Sequence, residues 1–406
     1  MEKKKLSLAA WIFIGMIAGI LVGLCFLKNP DFTTNYLKPI GTIYINLLKF
    51  LVVPGVVFSI ADGVVNLKDL KRVGSVGVRT FVYYMCTTAL AVVIGLALAC
   101  AFKGVFPTLS TSGLEYTAKE SPSVMTVITN IFPDNILKPM VNADMLPVIV
   151  IAVFFGAGIL AAGAKGTPVG EAVNRLNAVF MEIMMMIIKI TPIGVLCLMA
   201  NVVAVNGPSI VGDLLLVICV AYLGYIIHVV VVYGLSVKFL SKMSVVQFFK
   251  TLAPAMICAF TTTSSAATIP LNIECCNKMG AEPEISSFVL PLGATINMDG
   301  TAIYQAVASV FIASCYGVDL TLGQMAMIVL TATLASIGTA GVSGAGMIML
   351  AMVLESVGLP VEGIALIAGV DKLFDMGRTC LNITGDATCT MFISRQEREK
   401  TAKASK

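Results

Sequence analysis

Residues 248–279 read FFKTLAPAMICAFTTTSSAATIPLNIECCNKM. Two apolar flanks, Phe248–Phe260 and Leu271–Met279, enclose the polar run Thr261-Thr262-Thr263-Ser264-Ser265-Ala266-Ala267-Thr268-Ile269-Pro270. A helix needs about 20 apolar residues to cross the hydrocarbon of a bilayer, so neither flank crosses alone. Two half-spans joined by a Ser/Thr tip describe a re-entrant hairpin. Irregular backbone at membrane depth is tolerated only where protein buries it or where it lines an aqueous cavity. A second stretch repeats the pattern. Met325–Ala335 and Met347–Val357 flank Ser336-Ile337-Gly338-Thr339-Ala340-Gly341-Val342-Ser343-Gly344-Ala345-Gly346. Ordinary helices with small-residue packing faces would explain one such run. Two at related positions point to the binding site of a transporter.

The rest of the chain fits a membrane environment. Of 406 residues, 58% are hydrophobic and 12% charged, against about 25% charged in a soluble domain. Apolar segments occur at Leu6–Leu27, Ile40–Ile60, Thr80–Phe102, Met145–Ala164, Leu176–Val203 and Leu214–Val237. Leu6–Leu27 is too long for a signal-peptide core and reads as the first crossing. Lys103 to Asp144 reads as a long loop with a partial helix. Lys3, Lys4 and Lys5 precede the first span, Lys68, Lys71, Arg72 and Arg79 follow the second, and Arg395, Arg398, Lys400, Lys403 and Lys406 close the chain. The positive-inside bias then puts both termini in the cytoplasm. A net charge of +4 gives no case for nucleic-acid binding. The 11 Cys lie mostly in apolar runs and read as small hydrophobes.

The last apolar segment, Val361–Ser394, carries Asp371, Asp375, Arg378, Asn382 and Asp386, a spacing that keeps all five on one helical face. Ionisable groups in a spanning helix normally face an interior site and have partners. Three Asp face one Arg, with Lys372 expected to point elsewhere; the excess negative charge calls for a cation or a ligand ammonium. Asn297-Met298-Asp299-Gly300-Thr301 interrupts the apolar run Phe288–Phe311. Gly300 weakens a helix, so an unwound turn is expected there, and its carbonyls with the Asn and Asp oxygens suit a hard cation such as Na⁺. Tyr83-Tyr84-Met85-Cys86-Thr87-Thr88 is a weaker polar feature in the third span; its Thr hydroxyls are equally able to bond back to their own helix. Arg378 offers a planar fork for a carboxylate and Asp375 can hold an ammonium. Together they fit an amino acid with an acidic side chain.

Four motifs in order, Ser264 to Pro270, Gly293 to Thr301, Ala335 to Gly346, and Asp375-Met376-Gly377-Arg378-Thr379 with Asn382, Thr384, Gly385 and Asp386, resemble the dicarboxylate/amino acid:cation symporter family over essentially the whole chain. The resemblance implies an all-α membrane protein with eight transmembrane helices, two re-entrant hairpins and inverted repeats, assembled as a homotrimer in the cell (inner) membrane. Residues 1–75 and 106–207 would form a scaffold, 76–105 and 208–394 a transport domain moving as an elevator, and 395–406 a cytoplasmic tail. Arg378 would bind the side-chain carboxylate of L-aspartate or L-glutamate and Asp375 its amine. Thr263, Ser264, Ser265 and Asn382 would hold the α-carboxylate, with Thr301, Thr379, Val342 and Gly346 completing the pocket. One Na⁺ would use Gly293, Asn297, Asn382 and Asp386. A second would use Thr295, Ser336, Ile337 and Thr339, and a third Tyr84, Thr87, Thr88, Asn297 and Asp299. No organic cofactor is expected.

The chain departs from that pattern where many members carry a second arginine, here Thr263 and Met376, and has Ser343 in the second tip where relatives often have Pro. Arg378 is therefore expected to lack a nearby like charge. The nearest rival is a proton-coupled carrier of dicarboxylates or acidic amino acids. An intramembrane hydrolase, suggested by Gly341-Val342-Ser343-Gly344, lacks a base: the only histidine, His228, is expected to be a buried structural residue. A channel is a third option, against which the two-ended charged receptor argues.

Overall fold

The computed structural model describes residues 8–66, 75–107, 129, 132–142, 145–336 and 345–404, and no strand occurs among them. In hydrocarbon each backbone N–H needs a partner within its own segment, and a helix provides it. The longer helices are α1 Leu8–Cys25, α2 Lys38–Asn66, α3 Ser75–Phe102, α4 Met145–Ala161, α5 Thr167–Lys189, α6 Thr191–Asn206 and α7 Ile210–Ile227. They continue with α8 Val245–Thr262, α9 Ser265–Lys278, α10 Pro283–Ile296, α11 Asp299–Cys315, α12 Leu322–Ala335, α13 Ala345–Ser356 and α14 Asp371–Ala404. Among the described residues, Ser75–Val105, Ile210–Leu240 and Val245–Thr262 are each long and apolar enough to cross a membrane. Val150–Ala161 and Gly163–Ile187 would make a fourth as a broken span bent by 118°.

Two expectations change. Leu176–Val203 is not one segment: it divides between α5 and α6 at Ile190, because Pro192 in the first turn of α6 has no N–H to continue the preceding helix. The first limb of the expected hairpin, α8, is also longer than its apolar run and has the length of a crossing by itself. The chain nevertheless turns back at once. Thr263 adopts φ 54°, ψ 36°, a left-handed conformation uncommon outside Gly. Ser264 then caps α9, its Oγ accepting from the Ala267 N–H at 3.2 Å, the usual role of Ser at this position. Residues 248–279 thus fold as two helices, α8 and α9, joined by a tight turn at Thr263.

Glycines set the closest contacts. Gly15, Gly19 and Gly23 line the face of α1 that packs on α6; a Cβ at Gly19 would lie 2.7 Å from the Leu196 carbonyl, and one at Gly23 2.7 Å from that of Ala200. This is the small-residue seam by which helices approach in lipid. α2 packs on α4, α5 and α6, while α14 packs on α8, α9, α10 and α11. α11 is buried along its whole length between its neighbours, α3 among them through Gly95 against Ala306. α13 reaches α2, where the Tyr44 hydroxyl lies 4.0 Å from Met347 Sδ and 3.1 Å from Thr191 Oγ1.

The apolar run Phe288–Phe311 does break, but at Asn297 (φ −92°, ψ 96°) and Met298 (φ −120°, ψ 43°). Gly300 is inside the first turn of α11 and serves another purpose: a Cβ there would strike the backbone of Arg378. The tip of the second hairpin, with Ile337, Thr339, Val342 and Ser343, lies outside the described residues, as do Lys68, Lys71, Arg72 and 108–128 of the expected loop.

Candidate functional site

α14 begins at Asp371, so the whole stripe Asp371, Asp375, Arg378, Asn382 and Asp386 lies on one uninterrupted helix, every member buried. Its first two turns form a closed charged group. Arg378 Nη1 and Nη2 donate to Asp371 Oδ1 and Oδ2 at 3.1 and 3.3 Å, and Nε donates to Asp375 Oδ1 at 2.9 Å. The guanidinium stacks over the Tyr304 ring at 4.8 Å. Gly346, near the start of α13, faces it so closely that a Cβ would overlap the guanidinium. Thr379 Oγ1 donates to Asp375 Oδ1 at 3.4 Å. The expectation that Lys372 points away, and that Arg378 has no like charge nearby, is overturned. Lys372 Nζ hydrogen-bonds Thr263 Oγ1 at the tip of the first hairpin and lies 3.7 Å from Asp375 Oδ2. Its long stem carries the charge round the helix to the site, which spacing alone does not register. With Asp371, Asp375, Arg378 and Lys372 together, this level contains two charges of each sign.

Thr263 is brought to the same level through Lys372, and Ser264 and Ser265 follow it in the chain at the start of α9. The first-turn N–H groups of α9, at Ser265 and Ala266, have no acceptor within their own helix and carry the positive end of its dipole. Arg378, Asp375, Thr379, Gly346 and the first tip therefore converge.

Asn382 leads to a second level. Its Oδ1 accepts from the Gly300 N–H at 2.8 Å, and its Nδ2 points at Met298 Sδ, 3.2 Å away. Thr301 Oγ1 approaches the same sulfur at 3.9 Å. Asn297 Nδ2 donates to the Asn382 carbonyl and to Asp386 Oδ1, each at 2.9 Å. Asn297 Oδ1 is buried without a hydrogen-bond partner, an acceptor left open beside a carboxylate. Gly293 borders this level as well, since a Cβ there would meet Asp386 and the Tyr84 hydroxyl. Gly293, Asn297, Asn382 and Asp386 are thus neighbours.

Asp299 forms a third level. Thr88 Oγ1 donates to its Oδ1 at 2.6 Å and the Tyr233 hydroxyl to its Oδ2 at 2.7 Å. Tyr84 donates to the Val289 carbonyl, and Thr87 bonds back to Tyr84 within its helix. His228 is buried, as expected, and its Nε2 lies 3.1 Å from Asp299 Oδ2, a partner the sequence did not indicate. Past Ile227 the helix widens to π geometry over His228–Tyr233. In an α-helix residues five apart diverge by about 140°; the wider turn brings His228 and Tyr233 to the same carboxylate. Such bulges recur at functional positions.

The second expected cation set, that of Thr295 and Ser336, is less assembled among the described residues. Thr295 is exposed and Ser336 buried, and their hydroxyls bond back to the Leu292 and Thr333 carbonyls. Among the described residues no group of three or more His, Cys, Asp or Glu converges as a metal site; the donors present are carbonyls, amides, hydroxyls and single carboxylates, the set that suits a hard cation.

Comparison with known proteins gives one family. The model of the "Sodium:dicarboxylate symporter family" matches residues 8–396. The "Proton/sodium-glutamate symport protein" of Geobacillus stearothermophilus is 35% identical over 403 residues, covering 97% of this chain and 95% of that protein. The "Proton/glutamate-aspartate symporter" of Escherichia coli (strain K12) is 34% identical over 413 residues, covering 98% and 94%. The "C4-dicarboxylate transport protein" of Bacillus subtilis (strain 168) is 30% identical over 407 residues, covering 97% and 94%.

Proposed function

This chain belongs to the sodium:dicarboxylate symporter family, and from that premise we propose that it carries aspartate or glutamate across the cell membrane together with Na⁺. It is a multi-pass membrane symporter of the dicarboxylate and acidic amino acid type, and not an enzyme.

The observation that carries the reading is the Arg378 fork. A carboxylate, that of Asp371, already occupies it in the two-pronged arrangement a ligand carboxylate would adopt. In transport the ligand's side-chain carboxylate takes that place, its ammonium lies on Asp375, and its α-carboxylate faces Ser265, Asn382 and the N-terminus of α9. Thr301, Thr379, Gly346 and Val342 close the pocket. Na⁺ uses Asp386 with Gly293, Asn297 and Asn382, then Asp299 with Thr88, Thr87 and Tyr84, then Thr295, Ser336, Ile337 and Thr339. The buried open oxygen of Asn297 supports the first of these sets.

The body moves as an elevator. α1, α2 and α4–α6 form the scaffold of a homotrimer with both termini cytoplasmic, and α3 with α7–α14 form the carried unit. Supporting this division, α1 packs on α6 and α2 on α4–α6, whereas α14 packs on α8–α11. Uptake into proteoliposomes with and without a Na⁺ gradient is the test. Equal rates would sink the sodium reading.

A second reading, proton coupling, has its own observation in the His228–Asp299 contact at 3.1 Å. An imidazole nitrogen and a carboxylate oxygen are both groups that can hold a proton across such a contact. If uptake in Na⁺-free buffer follows an imposed pH gradient, and His228→Gln removes that dependence, this reading replaces the first.

A further inference from the structure

Asp62 belongs to none of the sets described above. It lies on α2, only 8% exposed, where α2 packs on α5. One turn before it, Phe58 stacks on Phe180 with ring centroids 5.2 Å apart. One turn after it, Val65 borders Gly170, where a Cβ would come within 3.2 Å. Between these apolar contacts the Asp62 carboxylate accepts from Asn177 Nδ2 at 2.9 Å and from Asn174 Nδ2 at 3.2 and 3.4 Å. Both donors are neutral amides, three residues apart on one face of α5. Among the described residues no Lys or Arg forms an ion pair with Asp62. Arg175, next to Asn174, is turned outward: its side chain is 81% exposed and lies 3.7 Å from Glu171. Asn177 Oδ1 is buried without a hydrogen-bond partner.

A carboxylate in a spanning helix normally has a cationic partner, and a buried acceptor left unpaired is costly. One change meets both needs. An amide carries two N–H donors on one side and an acceptor oxygen on the other. Half a turn about the last side-chain bond puts the Asn177 oxygen where its nitrogen now faces Asp62. The same turn at Asn174, which is exposed, opens a path from outside and adds a further oxygen. The cluster then offers both oxygens of Asp62 with two amide oxygens, an all-oxygen set that suits a hard cation. With a single carboxylate it neutralises a monovalent ion, whereas a divalent one would keep a net charge away from water. We infer that Asp62, Asn174 and Asn177 form a site for a hard monovalent cation, Na⁺ or K⁺, which fastens α2 to α5. The site stands apart from the stripe on α14 and does not depend on what that stripe carries.

The experiment is thermal unfolding of the full-length protein in detergent, without aspartate, in the chloride of Na⁺, K⁺ or choline at equal concentration. Asp386→Asn serves as the background, so that the cation set proposed on α14 contributes less. Replacing choline by the fitting cation should raise the midpoint of Asp386→Asn by about 2–4 °C more than that of the same protein with Asp62→Asn added, the stabilisation expected from one ion bound well above its dissociation constant. Whichever of Na⁺ and K⁺ gives the larger difference is the occupant. If Asp62→Asn is not recovered folded, Asn177→Leu, which keeps the carboxylate and removes the open oxygen, carries the same expectation. Asp62→Asn alone should leave KM for aspartate where it is in wild type. Equal increments with and without the Asp62 carboxylate, in both Na⁺ and K⁺, overturn the inference; that is the result of a carboxylate satisfied by the two amides alone. Wild type without Na⁺-driven uptake fails the proposed function and leaves this inference to the unfolding result.

Discussion

The two ends of the polar stripe on α14 treat buried charge in opposite ways. From Asp371 to Arg378 each carboxylate faces a cation of the chain itself, in a group closed by Arg378 and Lys372. Two turns further on, Asp386 meets the amide of Asn297, and the Asp299 carboxylate takes hydroxyls and an imidazole. An unpaired charge cannot be buried cheaply, and a pair that loses one partner is strongly destabilised. The charges of the first region are paired within the chain, and on the reading proposed above a ligand binds there by exchanging partners. The second sets its carboxylates against amide, hydroxyl and imidazole groups and leaves an unused oxygen at Asn297, and on the same reading it binds by adding a cation. One helix thus presents an exchange site and an addition site, which is a physical basis for coupling an anionic ligand to cations.

The largest test of that contrast is Arg378→Cys. It removes the fork and leaves Asp371 and Asp375 facing each other, so transport of acidic substrates should fall by at least about a hundredfold, as loss of one partner of a buried charged pair implies. Labelled aspartate uptake measures it, and unchanged affinity would remove Arg378 from the site. Asp386→Asn comes next. It retains an acceptor for Asn297 but removes the charge, so the apparent Na⁺ affinity should weaken by about tenfold or more, with a smaller effect on the maximal rate at saturating Na⁺. Sodium titration of uptake reads both. Tyr304→Leu removes the ring under the Arg378 guanidinium, and a desolvated cation–π contact of about 1–2 kcal/mol corresponds to roughly a tenfold loss of aspartate affinity. Tyr304→Phe keeps the ring and should lose much less.

The smallest effect lies at the far end of α14, outside the membrane. Arg79 binds Gln396 and Glu397, and Lys400 lies 3.1 Å from the same Glu397 carboxylate and 2.9 Å from Ser75. The hydrogen bond from Arg79 holds the Glu397 carboxyl below its ordinary range. A carboxyl with a lower value in the folded state adds stability that is present above its unfolded value and lost as pH falls through the folded one. The group is partly exposed, so the contribution is at most about 1 kcal/mol. Thermal unfolding of wild type and Glu397→Gln in detergent should differ slightly at neutral pH and coincide in acid.

Much of this was legible in the linear chain, for reasons that differ between its parts. The first hairpin was readable because short apolar flanks around a Ser/Thr run have few other solutions in lipid. The α14 stripe was readable because helical periodicity alone decides which side chains share a face. Lys372 was misjudged because the same rule assigns a direction to its Cβ, not to the end of a long stem. The burial of His228 was legible, but its partner Asp299 was not, because its alignment with Tyr233 depends on a π turn, which leaves no mark in an apolar run such as His228–Tyr233. Tyr304 and Met298 had no periodic signal at all; they matter through contacts across helices. Gly300 was noticed for the wrong property. Its small size serves close packing on Arg378, while the break belongs to Asn297 and Met298.

The seam between α1 and α6 has a practical consequence. Backbone meets bare glycine at Gly15, Gly19 and Gly23, so the two helices can neither slide nor close further without steric overlap. A pair of spectroscopic labels placed across that seam would keep one distance throughout a transport cycle. It would act as an internal ruler. Against it, a second pair on Tyr44 and Met347, which touch across the packing of α2 on α13, would report whatever motion the protein makes.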